Sequence, residues 1–356
     1  MLCEKSSTHC ETPRLAELTA YYFCVSQALN LHDTVGPLLL QQWQQFAAQL
    51  LQQAQLNTWS ADHLDQACVA AWLASRLIDS QSSEVSAYLL RIDAALLAQA
   101  HCLHKPADHA NRSCFFRILR YFSLRLPSAP DATALIELLE MLPQFPEVAP
   151  LGLADGLAAE LLLLLRLHKM GIQHATLLPS LRSGLARLLK LRQQVDFSEG
   201  HYNAFPYHTP PDFSPVALSS QELSWRHGDV GQSLLLYKFA EELPNAELLP
   251  IAELVGLNTL LRTSWQSTQL NTSQVGQGTA GLAYLYQRVY RLSGHAAYRK
   301  GAAFWLEKTN TLLQQELATG FYREQKGDIM QGLVGVGLVL LSSLLDEDLE
   351  WDRLVL

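Results

Sequence analysis

The sequence is short of charge, and the charge it has is scattered. Asp, Glu, Lys and Arg make up 17% of its 356 residues, the formal net charge is −8, and no run of basic residues occurs. Neutralising a phosphate backbone requires clustered Lys and Arg, so nucleic acid is excluded as a partner. Long apolar runs are missing as well. The most apolar stretch, Leu161 to Leu165 within LAAELLLLLRLHKM, is flanked closely by Glu160, Arg166 and Lys169. It falls well short of the ~20 apolar residues that span a bilayer and reads as a core helix. The start, MLCEKSSTHCETPR, has no apolar stretch behind a basic flank, so no secretory signal and no membrane span are expected, and the expected compartment is the cytoplasm. The six cysteines, Cys3, Cys10, Cys24, Cys68, Cys102 and Cys114, form no C-x-x-C pair, and none lies beyond Cys114. In a reducing compartment they read as buried or free thiols. Equally absent are a glycine-rich phosphate loop with Lys, a G-x-S-x-G elbow and a Cys–His dyad motif.

What the sequence does have is helix. Hydrophobic residues make up 49%, enough for a substantial core, and Leu, Ala, Gln and Glu dominate while alternating β-branched runs are absent. Apolar residues three and four apart predict helices over Ala16–Leu29, Pro37–Gln55, Leu64–Ile78, Val85–Cys102, Ser113–Leu124, Asp131–Met141 and Gly156–Met170. Further helices are predicted over Leu177–Gln194, Gly231–Glu242, Leu248–Gln266, Ala280–Leu292, Ala296–Leu317 and Leu333–Leu345. Turn signals separate them at Pro127 to Pro130, Pro206 to Pro215 and Gly320. The longest irregular stretch, HYNAFPYHTPPDFSP at 201–215, is of a length that is often functional in a compact domain.

The second half repeats itself. LGLADGLAAELLLLLRL from Leu151, RHGDVGQSLLLYKFA from Arg226, VGQGTAGLAYLYQRVYRL from Val275 and DIMQGLVGVGLVLLSSL from Asp328 each run from a small or polar turn into an apolar helix. Each carries a glycine followed three residues later by another small residue: Gly156 with Ala159, Gly228 with Gly231, Gly278 with Gly281, and Gly332 with Gly335. The glycines recur about every 50 to 70 residues, the scale of a helix-pair repeat. Glycine at a helix start lets backbones crowd together. It also leaves first-turn N–H groups bare, which favours negative charge. If inner helices alternate with outer ones, these ends gather at one mouth of a central cavity.

These four segments, in this order, resemble the lanthionine synthetase C-like (LanC-like) family, and the resemblance covers roughly residues 150 to 356, including the ending DLEWDRLVL. It implies an all-α fold, an (α/α) toroid of about seven inner and seven outer helices. Residues 1–356 then form a single domain, with 1–150 supplying helical hairpins that complete the ring. It also implies an activity, the addition of cysteine thiols to dehydrated Ser or Thr residues of a precursor peptide. In zinc-dependent members two cysteines and one histidine hold the metal, which lowers the substrate thiol's pKa from about 8.5 so that the thiolate can attack.

Position by position the chemistry differs. Where the family has Trp-Cys-Tyr-Gly this chain has Trp225, Arg226, His227 and Gly228, followed by Asp229. Where the family has Cys-His-Gly-Thr-Ala-Gly it reads Gly276, Gln277, Gly278, Thr279, Ala280, Gly281. Where the family's GLAHG supplies a histidine for proton transfer, this chain has GLADG, with Asp155. Arg226, Gly276 and Gln277 thus stand in the ligand positions, and a permanent cation at a metal position repels Zn²⁺. No zinc and no other cofactor is expected.

The set expected to line the cavity is Asp155, Trp225, Arg226, His227, Asp229, Gln277 and Gln331, with Asp155, Arg226 and His227 the catalytic candidates. Asp229, Thr279 and Asp155 stand where side chains cap a first helical turn. Asp155 is alternatively a proton acceptor, or the partner of Arg226 in an internal ion pair across the cavity. Arg226 with His227 could instead receive a carboxylate. His201, His208 and His227 lack helical ligand spacing and read as surface or packing residues rather than a second metal site. Met170, Trp225, Tyr284, Tyr286 and Tyr290 read as packing.

Three functions follow. The first is a zinc-free LanC-like protein of lanthipeptide-type peptide modification, a pseudo-cyclase that binds a precursor peptide or a partner enzyme such as a dehydratase. The second is an active, metal-independent thioether-forming cyclase with His227 or Asp155 as base. The third is a carbohydrate-active toroid, which needs two carboxylates roughly 5 to 9.5 Å apart, here Asp155 and Asp229; only fold analogy supports it.

Overall fold

The computed structural model describes residues 15–29, 31–55, 59–77, 83–103, 109–127, 131–143, 145–146, 148–209, 222–243, 245–323, 327–346 and 349–355. Among these the protein is all-α. The helices are α1 (Leu15–Ala28), α2 (His32–Gln55), α3 (Ala61–Leu77), α4 (Ser83–Leu103), α5 (His109–Arg125), α6 (Thr133–Glu140), α7 (Leu157–Lys169), α8 (Leu177–Lys190), α9 (Asp229–Glu242), α10 (Leu248–Thr259), α11 (Trp265–Thr268), α12 (Thr279–Ser293), α13 (Ala296–Thr319) and α14 (Leu333–Leu345). A 3₁₀ turn, Trp351–Leu354, follows them. The extended pairing among the described residues is two isolated bridges, Pro150 with His208 and Asp196 with His201. No described helix is long and apolar enough to cross a membrane.

Helix neighbours close into a toroid. In order round the inner layer, α1 packs on α3, α3 on α5, α5 on α7, α7 on α9, α9 on α12, α12 on α14, and α14 returns to α1. Six further helices, α2, α4, α6, α8, α10 and α13, lie against this ring of seven, and α11 is a single turn in the α10–α12 connection. The layers follow from sequence. α9 is apolar round most of its circumference, and ten of its fourteen residues are buried, from Asp229 through Phe239. α8 buries only Leu177, Leu181, Gly184 and Leu188, a single stripe at helical spacing, which is the pattern of a helix with one face in water. Where α5 meets α7, the buried guanidinium of Arg112 donates two parallel hydrogen bonds to Glu160, both 2.7 Å. A bidentate pair of this kind compensates the cost of burying both charges.

Three predicted boundaries differ for local reasons. The second helix begins at His32 and carries Pro37 inside it, so the proline does not mark the first turn. The predicted Leu248–Gln266 helix breaks after Thr259, because Ser264 starts a new turn through a capping box with Ser267 and Arg262 donates to the Ser267 carbonyl at 2.8 and 2.6 Å. The helix predicted to reach Gln194 ends at Lys190, since the Gln193 N–H turns away to donate to the Ala204 carbonyl at 2.7 Å.

Candidate functional site

The four glycine turns meet at one end of the ring, where their backbones are laced together. Leu153 N–H donates to the Arg226 carbonyl (3.1 Å), Arg226 N–H to the Gly276 carbonyl (3.0 Å), and Gly276 N–H to the Met330 carbonyl (2.7 Å). Packing this close leaves no room for a side chain at two of the glycines. A Cβ on Gly281 would lie 1.9 Å from the Val275 carbonyl, and one on Gly335 would lie 1.7 Å from the Ile329 carbonyl. Both glycines stand six residues after the carbonyl they would strike, so the same turn is built twice. The first-turn N–H groups are not bare as expected. Leu157 and Ala158 donate to the carbonyls of Pro150 and Leu151, and Thr279 to that of Thr272, so the turn itself satisfies them.

Behind this rim lies a cavity of about 220 Å³. The motif turns supply Asp155, Trp225, Arg226 and Gln331 to its wall, and α1, α3 and α5 supply Glu17, Asp62, Asp65, Arg117 and Arg120. Arg117 is its electrostatic centre. Its guanidinium donates to Asp155 Oδ2 at 2.9 Å from one edge, to Asp65 Oδ1 at 3.0 Å from another, and to the Ser113 hydroxyl. One cation therefore ties α3, α5 and the turn before α7. Asp155 reaches it from a left-handed backbone, φ 57°, a conformation that Asp tolerates better than most residues. The Arg226 guanidinium forms no ion pair among the described residues, and its Nε is buried without a hydrogen-bond partner. The expected pair of Arg226 with Asp155 is thus replaced by Arg117 with Asp155. On the far wall Asp328 accepts from the N–H groups of Met330 (2.6 Å) and Gln331 (2.7 Å).

The remaining predicted residues lie elsewhere. His227 is buried, and its Nε2 meets the Tyr207 hydroxyl on the side of the 201–209 segment. Burial, then the neighbouring Arg226 and His208, push its pKa down to about 3. It is therefore neutral at pH 7 but a weak base, and it does not join Arg226 in a carboxylate site. Asp229 is fully buried and does not cap α9; the cap is Gly228, without a side-chain bond. Its carboxylate accepts from the N–H groups of Ala204 (2.6 Å) and Phe205 (3.1 Å) and thereby anchors the 201–209 segment. Burial raises its pKa to about 6 against those two bonds and the nearby Arg262. Asp155 and Asp229 consequently do not flank one cavity as a glycosidase pair would.

Thr279 is likewise not a cap; its hydroxyl donates to the Thr272 carbonyl and accepts from Thr309. Gln277 is exposed and off the cavity wall. Trp225 does pack, at 6.0 Å and 25° from Trp351, while its buried Nε1 has no partner. Met170, expected to pack, is 39% exposed. Of the long 201–215 segment, 210–215 fall outside the described residues, as do Cys3 and Cys10.

Sequence reasoning passed over Asp65, Arg117 and Arg120. A signal was present: α5 carries Arg112, Arg117, Arg120 and Arg125 among aromatic and aliphatic residues with no polar face to hold them. Arginines on such a helix are buried, and buried arginines require partners.

The lacing places residues 226, 276 and 277 together. They offer a guanidinium, a position without a side chain and an exposed amide, and this donor set does not fit zinc, which takes thiolate, imidazole or carboxylate. No group of three or more His, Cys, Asp or Glu that could hold a metal occurs among the described residues. Burial pushes the Cys24 and Cys68 thiols up to about 12.

Compared with known families, residues 137–356 match the profile described as lanthionine synthetase C-like protein. No individually curated protein matches the chain.

Proposed function

Because the chain belongs to the lanthionine synthetase C-like family, we propose that it serves lanthipeptide-type peptide modification without zinc, as a pseudo-cyclase. It binds a precursor peptide, or the dehydratase that modifies one, at the laced end of the ring. The observation that carries this reading is Arg226. It stands where the resemblance puts a zinc thiolate, its backbone is bonded to Gly276, and it lines the cavity without a counter-ion among the described residues. A guanidinium there disfavours a metal and favours an acidic or carboxylate group of a bound peptide.

An active cyclase would need a base poised near the working pH. His227 has been driven to about 3, and Asp155 is held by Arg117, so neither candidate favours that second reading.

The test uses the full chain with a dehydrated, cysteine-containing precursor peptide. Saturable peptide binding, sub-stoichiometric zinc by elemental analysis, and a free-thiol count that falls no faster than in the protein-free control are expected. Stoichiometric zinc, or thiol loss faster than the control, would overturn the proposal.

A further inference from the structure

A second and larger cavity, about 380 Å³, opens at the opposite ends of the same inner helices. It is bounded by one face of α7 (Leu162, Leu165, Arg166, Lys169) and one face of α9 (Leu234, Lys238, Glu242). On α7 these stand at i, i+3, i+4 and i+7 and on α9 at i, i+4 and i+8, which puts the side chains of each helix on a single face. The 3₁₀ turn separates the two cavities. Leu354 and Val355 line the first, and Glu350, Asp352 and Arg353 line the second.

The charges of this second cavity are almost fully paired. Lys169 contacts Glu242 at 2.6 Å and Glu241 at 3.4 Å, Lys238 contacts Glu241 at 3.1 Å, and Arg288 contacts Asp352 at 3.2 Å. Arg353 contacts Glu350. Arg166 is the exception. It forms no ion pair or side-chain hydrogen bond among the described residues, and its Nη1 is buried without a partner. Five cations, Arg166, Lys169, Lys238, Arg288 and Arg353, face four carboxylates, Glu241, Glu242, Glu350 and Asp352, a balance of +1. Burial and the neighbouring Arg353 and Arg120 lower the Arg166 pKa to about 10 against the pull of Asp352 and Glu350, which leaves it charged at pH 7. An unpaired buried donor is costly, and a chain tolerates it where an external acceptor completes it. The rest of the wall is apolar: Leu162, Leu165 and Leu234 with the half-exposed Met170.

We propose that this cavity is a binding site for a small carboxylate with an apolar body. The carboxylate meets the guanidinium of Arg166, and the body lies on Leu165, Leu234 and Met170. One unpaired guanidinium suits a monoanion, and the volume falls in the range of small-molecule sites, roughly 300–1,000 Å³. A compact dianion such as phosphate leaves the apolar wall unfilled. This site is independent of the one that the proposed function uses.

The test is calorimetric titration of the full chain with 4-phenylbutyrate, its neutral amide, and inorganic phosphate. Saturable binding of the carboxylate is expected, with the amide weaker by about tenfold or more because it lacks the charge-assisted bonds. Arg166→Gln should lose about tenfold or more in carboxylate affinity without a lower melting temperature, since Arg166 has no ion pair or side-chain hydrogen bond among the described residues to forfeit. Met170→Ala, altering a half-exposed side chain, should weaken binding while the fold persists. Absence of saturable carboxylate binding at millimolar ligand, equal affinity of Arg166→Gln and the native chain, or displacement by phosphate at equal concentration would overturn the proposal. So would a loss of affinity caused by Arg226→Gln and not by Arg166→Gln.

Discussion

The Arg117 junction can be measured by a double-mutant cycle. Arg117 is 14% exposed, and its two carboxylate partners, Asp65 and Asp155, are 36% and 35% exposed. A hydrogen bond to a charged group contributes roughly 1.5–3 kcal/mol when well buried. With the carboxylates about a third exposed, water and salt recover part of this, which reduces each arm to about 1 kcal/mol. Arg117→Met keeps most of the side-chain volume and removes both arms, so it should cost about 2–3 kcal/mol once the lost Ser113 bond is included. Asp155→Asn keeps the shape and the tolerance for a left-handed backbone, φ 57°, so it tests charge alone. The native chain, both single variants and the double variant are unfolded in urea, with two probes to check for a single transition. A coupling energy of about 1 kcal/mol that shrinks at high salt is expected. Coupling below about 0.3 kcal/mol, within the additivity error of distant sites, would refute Arg117 as a tie between α5 and the turn before α7.

Glycine substitutions should split by register. Gly281→Ala and Gly335→Ala drive a Cβ into a carbonyl at 1.9 and 1.7 Å and should each cost about 3 kcal/mol or more by chemical denaturation. Gly36→Ala, inside α2 with nothing within 4 Å of the new Cβ apart from its chain neighbours, trades helix propensity against the following Pro37 and should change stability by no more than about 1 kcal/mol; a loss as large as at Gly281 would count against the α2 assignment. The pH profile of stability carries two opposed contributions. His227, whose folded pKa is about 3 against an ordinary 6.5, contributes stability that is present above pH 6.5 and drains away as pH falls toward 3. Asp229, raised to about 6 from 3.8, contributes stability that is full below pH 3.8 and is lost as pH rises through 6. Asp229→Asn should therefore remove the second slope and leave the first, so melting curves of the two proteins from pH 4 to 7 that run parallel would contradict the assignment. Finally, Arg226→Cys, Gly276→Cys and Gln277→His together should bind zinc stoichiometrically. The backbones of 226 and 276 are already bonded, and the nearest atom to a Cβ at 276 is the Met330 carbonyl at 3.2 Å, which a shift of a few tenths of an ångström relieves. A triple variant that folds yet purifies without zinc would show that the three positions do not converge.

Helix positions were legible in the chain because helical periodicity is local. Apolar spacing over ten to twenty residues locates α7, α9, α12 and α14 to within two residues. The errors fall where a side chain redirects the backbone, as Ser264 and Arg262 do after α10. The glycine register was legible too, since a residue without a Cβ is needed wherever two backbones touch, and Gly281 and Gly335 stand at equivalent steps of one turn.

By itself, then, the sequence determined the helices, the glycine turns and which residue types stand at the ligand positions. Only the tertiary structure decided what those residues do. Asp155 and Arg226 lie close enough in the motifs to suggest a pair, yet Asp155 found Arg117, 38 residues earlier on α5. Asp229 turned from the expected cap into an anchor for Ala204 and Phe205. His227 became neutral because its ring is buried beside an arginine, and Arg166 is left without an ion pair among the described residues at the far end of the ring. Charge partners and proton affinities depend on distance and dielectric across helices that are remote in sequence, and these quantities exist only once the ring has closed.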